Sequence, residues 1–295
     1  MKILRYCYNF NQSTRYNREI AKCDITVLPH FRSLPIGLRL FRNYYNRQQL
    51  PLYKHLFNIP KDINTYEMVI VADDTPQNFV RALESSIDNK QCRLVYYYVN
   101  PIVNGHVEAL SEHWEVWSFD KMDCVKYGLK YNPAPYCKMN VATQEHVYDA
   151  VFVGLNKGRE TALTLLENEM KHQGLIPFFK IVDNKKQRLS YEEVLVLNAQ
   201  SRSIVELLQN GQSGVTLRTM ESLFYHQKLI TNNKSIKQYR IYNEHNIFVL
   251  GEDDMANLTG FLSTPYQQAE SNLENLYTFE MWAERFSRGI ELEDI

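Results

Sequence analysis

The sequence predicts an α/β protein made of two Rossmann-like halves, each a parallel sheet flanked by helices. Short, nearly unbroken apolar runs alternate with stretches whose apolar residues recur at helical spacing, the pattern of parallel strands covered on both faces. This alternation occurs in two rounds, and a stretch with two prolines, "KYNPAPYCKMN", lies between them. The expected halves are therefore residues 1–142 and 143–295, with that stretch as the linker.

In the first round "YEMVIVADD" reads as a buried strand ending in acids, and "PQNFVRALESSI" as a helix with Phe79, Leu83 and Ile87 on one face. "CRLVYYYVN" is the next strand, "GHVEALSEHWE" a helix, "VWSF" a strand and "DKMDCVKYGL" a helix. The second round opens with the strand "YDAVFVG" and the helix "RETALTLLENEMKHQ". "LIPFFKIV" follows as a strand and "DNKKQRL" as a charged turn. "SYEEVLVLNAQ" is then a helix opened by a capping box from Ser190 to Glu193. "SIVELL", "KLITN" and "NIFVL" are strands, and "TLRTMESLFYHQ" and "DDMANLTGFL" helices. The tail "QQAESNLENLYTFEMWAERFSR" reads as one long amphipathic helix.

Composition bounds the function. Of 295 residues, 44% are hydrophobic and 23% charged, enough apolar mass for a core, and the net charge of -1 gives no global field toward nucleic acid. Five widely spaced cysteines without a C-x-x-C pair read as reduced thiols rather than disulfides or a zinc site. The N-terminus lacks the apolar core of a signal peptide, and no run approaches the roughly 20 apolar residues that span a bilayer. The expected location is cytoplasmic, at most on the cytoplasmic face of the inner membrane. There is no G-x-G-x-x-G after the first strand and no G-x-x-x-x-G-K-[ST], against a dinucleotide dehydrogenase and a P-loop NTPase.

Ligands of open parallel sheets bind at the carboxyl ends of strands, where helix N-termini offer unpaired N–H groups to phosphate. "NGQSGVTLRTMES" fits such a place: Gly211 and Gly214 for a tight loop, Thr216 and Thr219 to cap or donate, Arg218 to fork onto phosphate oxygens, and Glu221 to accept from vicinal hydroxyls. "FVGLNKGRE" sets Gly154, Asn156, Lys157, Gly158 and Arg159 at a second strand-to-helix turn, where two cations can neutralise a diphosphate. Both stretches also read as ordinary solvated turns. Two such loops on one pocket are stronger than either alone.

The run "SGVTLRTMESLFYHQKLITNN" resembles the donor-site segment of GT-B glycosyltransferases, most of all those of bacterial lipopolysaccharide and capsular polysaccharide biosynthesis. "YDAVFVGLNKGRE" resembles the opening of their C-terminal domain, while the first half is similar in architecture only. The resemblance implies a GT-B fold with a cleft between its domains and a nucleotide-sugar donor. It places Arg218 and Thr219 at the diphosphate, Glu221 at the ribose or donor sugar, and Gly154 to Arg159 opposite. It also implies a tail helix around Trp282 returning to the first half. Many retaining members carry a second glutamate eight positions before the first, and Ser213 stands there in this chain. Inversion becomes the expected outcome.

Inversion needs a base on the acceptor hydroxyl. Asp73 and Asp74 end a strand, and neighbouring carboxyls raise one another's pKa. A cap on the following helix is the competing reading; His106 and His113 lie near the next loop. No D-x-D pair ends a strand and "GEDDM" reads as a cap, so neither an essential metal nor another cofactor is expected. From Ile25 to Lys61 there is no acid, and Arg32, Arg39, Arg42, Arg47 and Lys54 fall among Leu34, Leu38, Phe41 and Tyr45. Residues 30–55 thus read either as an anionic membrane contact near a lipid-linked acceptor or as a core-facing helix with solvated arginines; nucleic acid is not expected. The overall expectation is transfer of a sugar from a nucleotide-diphosphate donor to a glycan or lipid-linked acceptor. An inactive scaffold of the same shape and a nucleotide-sugar epimerase are the alternatives.

Overall fold

The computed structural model describes residues 1–6, 23–48, 53–102, 105, 107–182, 188–209, 213–270 and 272–292. The chain divides into two compact units, Met1–Pro133 with Phe279–Glu291, and Ala134–Thr278 with Leu292–Ile295. The break falls within the proline stretch, earlier than the expected division at residue 142. The reason is local: Tyr136 donates its amide to Tyr277, its hydroxyl pairs with that of Tyr191 at 3.0 Å, and Met139 exchanges hydrogen bonds with the Tyr225 hydroxyl. Residues 134–139 are thereby packed into the second unit.

In the first unit, β1 (Ile3–Tyr6), β2 (Ile25–Leu28), β3 (Met68–Ala72), β4 (Arg93–Tyr98), β5 (Trp114–Ser118) and β6 (Lys130–Tyr131) form a parallel sheet of order β2-β1-β3-β4-β5-β6. Helices α1 (Ile36–Arg47), α2 (Gln77–Glu84) and α3 (Lys121–Tyr127) connect strands. Asp120 caps α3 by accepting from the amides of Met122 and Asp123, and Gly128 ends it in the left-handed conformation at φ +68°. The core is aromatic: Phe79 of α2 meets the edges of Tyr6, Phe57 and His30 at 4.7, 5.0 and 5.2 Å.

The second unit holds β7 (Tyr148–Leu155), α4 (Glu160–His172), β8 (Pro177–Val182), α5 (Tyr191–Ala199), β9 (Ser201–Glu206), α6 (Leu217–Tyr225), β10 (Lys228–Thr231), β11 (Ile247–Val249), α7 (Leu258–Ser263) and α8 (Leu273–Leu276). Its strands are parallel in the order β11-β10-β9-β7-β8. Phe152, Leu163, Met170, Val205, Ile230 and Phe248 fill the core on one side of this sheet. Ser190 and Glu193 close the capping box of α5.

Two expected helices take another form. Residues 107–113 are not helical, and the Glu108 amide donates to the Tyr98 hydroxyl rather than along a helix. The tail is two helices, α8 and α9 (Phe279–Arg288), and the Thr278 hydroxyl donates to the Asn275 carbonyl where they part. Helix α9 belongs to the first unit, where Trp282 and Phe286 stand against Tyr97 at 5.6 and 5.5 Å. Arg93 holds its end by donating to the carbonyls of Phe286 and Ser287. The expected charged turn at 183–187, as well as Gly211 and His106, lie outside the described residues.

His30, just beyond β2, is buried, and its Nε2 lies 2.9 Å from the Thr75 hydroxyl after β3. Burial lowers its pKa from 6.5 to about 4. The unfolded chain therefore takes up the proton first, and stability falls as pH drops through that window, by about 3 kcal/mol in all. Melting temperature measured from neutral pH downward should show this loss, and His30→Gln should flatten the slope; an unchanged slope would remove His30 as its source.

Candidate functional site

The crevice at the carboxyl ends of β7 and β9 is where strand order reverses. The chain goes from β7 to β8 on one side of β7, then crosses to β9 on the other. Such a switch point leaves a gap between loops that depart in opposite directions. The candidate site is built there, within the second unit.

Thr216 is the N-cap of α6. It accepts from the Arg218 amide at 3.1 Å, and its own amide donates to the Thr219 hydroxyl. Arg218 then reaches back to β7, where Nη2 donates to the Val153 carbonyl at 2.6 Å and the guanidinium lies 4.9 Å from the Phe152 ring centroid. Gly154 makes room for this: a Cβ there would stand 2.9 Å from Arg218 Nη2 and 3.0 Å from the Phe152 ring. The glycine in "FVGLNKG" thus serves a close approach by arginine. Lys157 and Gly158 take positive φ, +45° and +78°, and turn the chain into α4. Asn156 donates to Glu160 at 3.1 Å, and Lys157 is exposed.

Arg159 stands at the start of α4. Its pKa is lowered, first by burial and then by the positive charge of Arg218, against the pull of Glu206. Its Nε is buried and has no hydrogen-bond partner among the described residues. Two guanidiniums thus share one neighbourhood with an exposed lysine nearby in sequence, a surplus of positive charge at strand ends and a helix N-terminus.

Several expected residues face inward. The Thr216 and Thr219 hydroxyls donate to Glu206, the last residue of β9, and Thr219 is wholly buried. Glu221, expected at a ribose or donor sugar, is 2% exposed and accepts from the Asn198 amide of α5 at 3.0 Å. Gly214 is buried and does not take positive φ. The residue that sequence reasoning missed is Glu206. Its carboxylate is 1% exposed and accepts also from Thr231 at 2.6 Å, so it ties β9, β10 and α6 together. The available signal was an acid interrupting the apolar run "SIVELL".

In the first unit, Asp73 and Asp74 follow β3, beside the switch between β1 and β3. Neither caps α2, whose N-cap is Pro76 without a side-chain bond. Asp73 accepts from the Val99 amide and the Asn100 side chain. Burial raises the pKa of Asp73 despite those bonds; Asp74 is raised by desolvation first and by the charge of Asp73 second, with Arg5 opposing. His113 is exposed and lies 3.6 Å from Glu84. Among the described residues no three His, Cys, Asp or Glu side chains gather as metal ligands.

Two parallel-sheet α/β units, each with a switch point beside its first strand, form an architecture consistent with the GT-B class of fold. Sucrose-phosphate synthase from Thermosynechococcus elongatus shares that fold, with a TM-score of 0.54 and 9% identity over 98% of each chain. The structure of TarM aligns with a TM-score of 0.41 and 11% identity over 75% of this chain, which spans 50% of that protein. No protein-family model and no curated protein sequence matches the chain.

Removing the Glu206 carboxylate leaves three threonine hydroxyls without their acceptor in a closed environment. Glu206→Ala should therefore lower stability by about 3 kcal/mol in chemical denaturation; a loss below about 1 kcal/mol would show that the cluster does not hold the unit.

Proposed function

We propose that the chain is a glycosyltransferase that takes a nucleoside-diphosphate sugar as donor and delivers the sugar to a hydroxyl of a glycan or lipid-linked acceptor. The observation that carries this reading is the pair Arg159 and Arg218 at the N-termini of α4 and α6, beside the crevice of β7 and β9. Guanidiniums and helix N-termini favour diphosphate oxygens, and a diphosphate is the leaving group of such a transfer. The likeness in fold to a sucrose-phosphate synthase supports the same class.

In the reaction, the acceptor oxygen attacks the anomeric carbon with inversion and loses its proton to a carboxylate, assigned to Asp73 or Asp74. The bond from that carbon to the diphosphate oxygen breaks, and the guanidiniums and amides receive the charge that develops there. With that charge met by protein groups, turnover should persist in EDTA. Thr216, Thr219 and Glu221 support the site from behind rather than touching the donor, given their bonds to Glu206 and Asn198.

Thermal shift with UDP, GDP, ADP and CMP tests the donor site. One nucleoside diphosphate should stabilise the protein, and Arg218→Ala should weaken its binding about tenfold or more by removing a charged contact. Gly154→Ala should do the same through the displaced guanidinium, while costing at most about 2 kcal/mol of stability. Unchanged binding in both variants would refute the site.

Base catalysis is tested by turnover. Asp73→Asn or Asp74→Asn should lower kcat about a hundredfold or more. Because both carboxyls are raised by burial, the acid limb of the pH–rate profile should lie above the ordinary aspartate range. Full activity in both variants would exclude them. Nucleotide binding without turnover on any acceptor would favour the inactive scaffold.

A further inference from the structure

Helix α1 exposes more large apolar side chains than any other described helix. A core-facing amphipathic helix turns its apolar stripe inward. In α1 the large apolar side chains Leu38, Leu40, Phe41 and Tyr44 are 51%, 77%, 55% and 59% exposed, all within seven consecutive positions. Leu40 and Tyr44 are four apart and Phe41 and Tyr44 three apart, so they form one continuous face. Arg42 anchors another face by lying 4.6 Å from the Phe31 ring centroid, and Arg39 turns its Nε to the Leu34 carbonyl. This choice of face leaves the apolar stripe in water.

We propose that α1 is an in-plane docking helix for an anionic lipid bilayer, with Leu40, Phe41 and Tyr44 entering the interface and Arg39 and Arg47 pairing with phosphate headgroups. The charge distribution selects that occupant. Residues 25–61 carry Arg32, Arg39, Arg42, Arg47, Lys54 and Lys61 and no acid, in a chain whose net charge is -1. Arg32, Arg39, Arg47 and Lys61 are exposed. An apolar stripe edged by cations matches an anionic interface, where hydrophobic insertion and headgroup attraction add. A second copy of this chain on the same face would bring these arginines against their own counterparts, which like-charge repulsion opposes. No described helix is long and apolar enough to cross a membrane, so the contact is one of lying on the surface.

The inference concerns the first unit alone and does not rest on the donor site. Co-sedimentation of the full chain with vesicles tests it, using phosphatidylcholine alone and an equal mixture with phosphatidylglycerol. The protein should pellet with the mixture and not with phosphatidylcholine, and less so as salt is raised. Arg39→Gln and Arg47→Gln should each weaken binding about fivefold. The combination Leu40→Ser, Phe41→Ser and Tyr44→Ser should abolish it with an unchanged melting curve, because those side chains are exposed. Failure of the wild type to pellet with the mixture would overturn the proposal, as would equal pelleting by the triple variant. Self-association in sedimentation velocity that the triple variant loses, without vesicle binding, would assign the face to a second copy instead. None of these readouts involves a nucleotide, so they stand apart from the tests of Arg218 and Asp73.

Discussion

The carboxylate of Glu206 is the fixed point of the second unit. It sits at the end of β9 with almost no solvent contact and receives the hydroxyls of Thr216, Thr219 and Thr231. Two of those threonines open α6 and the third ends β10, so one side chain sets where a helix begins relative to two strands. Hydroxyl donors spread the charge over several dipoles, which a buried carboxylate requires in place of water. The start of α6 is therefore held by side chains as well as by the backbone. Arg218, between those two threonines in the first turn, inherits that position and lands on Val153 and Phe152 of β7. Asn233 extends the same clasp by donating to the carbonyls of Ser213 and Gly214 before the helix.

Strand order explains why the crevice forms there. In the second unit β7 has β8 on one side and β9 on the other; in the first, β1 has β2 on one side and β3 on the other. Both sheets reverse direction beside their first strand, and both place acids or cations at the carboxyl ends next to that reversal. Asp73 and Asp74 follow β3, and Arg5 of β1 acts on Asp74. The units differ in what seals them. The first has an aromatic core completed by α9, whereas the second adds to its apolar core the polar clasp around Glu206.

Much of this was legible in the sequence, and the limits are physical. β3, β4, β7 and β9 are recognisable because burial on both faces requires nearly continuous apolar runs. β1 and β2 are four residues each, and Arg5 interrupts one of them, so periodicity has little to act on. In the donor stretch the helix start, its threonine cap and the arginine are readable from local chemistry. The direction of Glu221 is not, because its partner Asn198 lies 23 residues upstream on α5. Gly154 was legible as a special position, but the reason for it was not, since the atom that needs the space belongs to Arg218. Local rules identify which residues are polar at a helix start; which way each one faces is decided by whatever the fold packs opposite.

The same limit bears on the arginines, whose role depends on what immobilises them. Arg218 is fixed by a carbonyl and an aromatic face, and Arg159 is pressed close enough for their charges to oppose one another. Glu206, whose charge acts on Arg159, turns its oxygens to threonine hydroxyls. Among the described residues neither guanidinium forms a salt bridge, and Arg218 is already held in place, the condition under which a fixed charge stabilises a leaving group best. On α1 the side chains of Arg39 and Arg47 are exposed and lie on the same helix as an exposed apolar stripe. A half-buried, fixed fork suits a small, dense anion such as a diphosphate, whereas exposed cations beside an apolar stripe suit a broad field of headgroups. Composition alone counts these arginines as equals; their burial separates them.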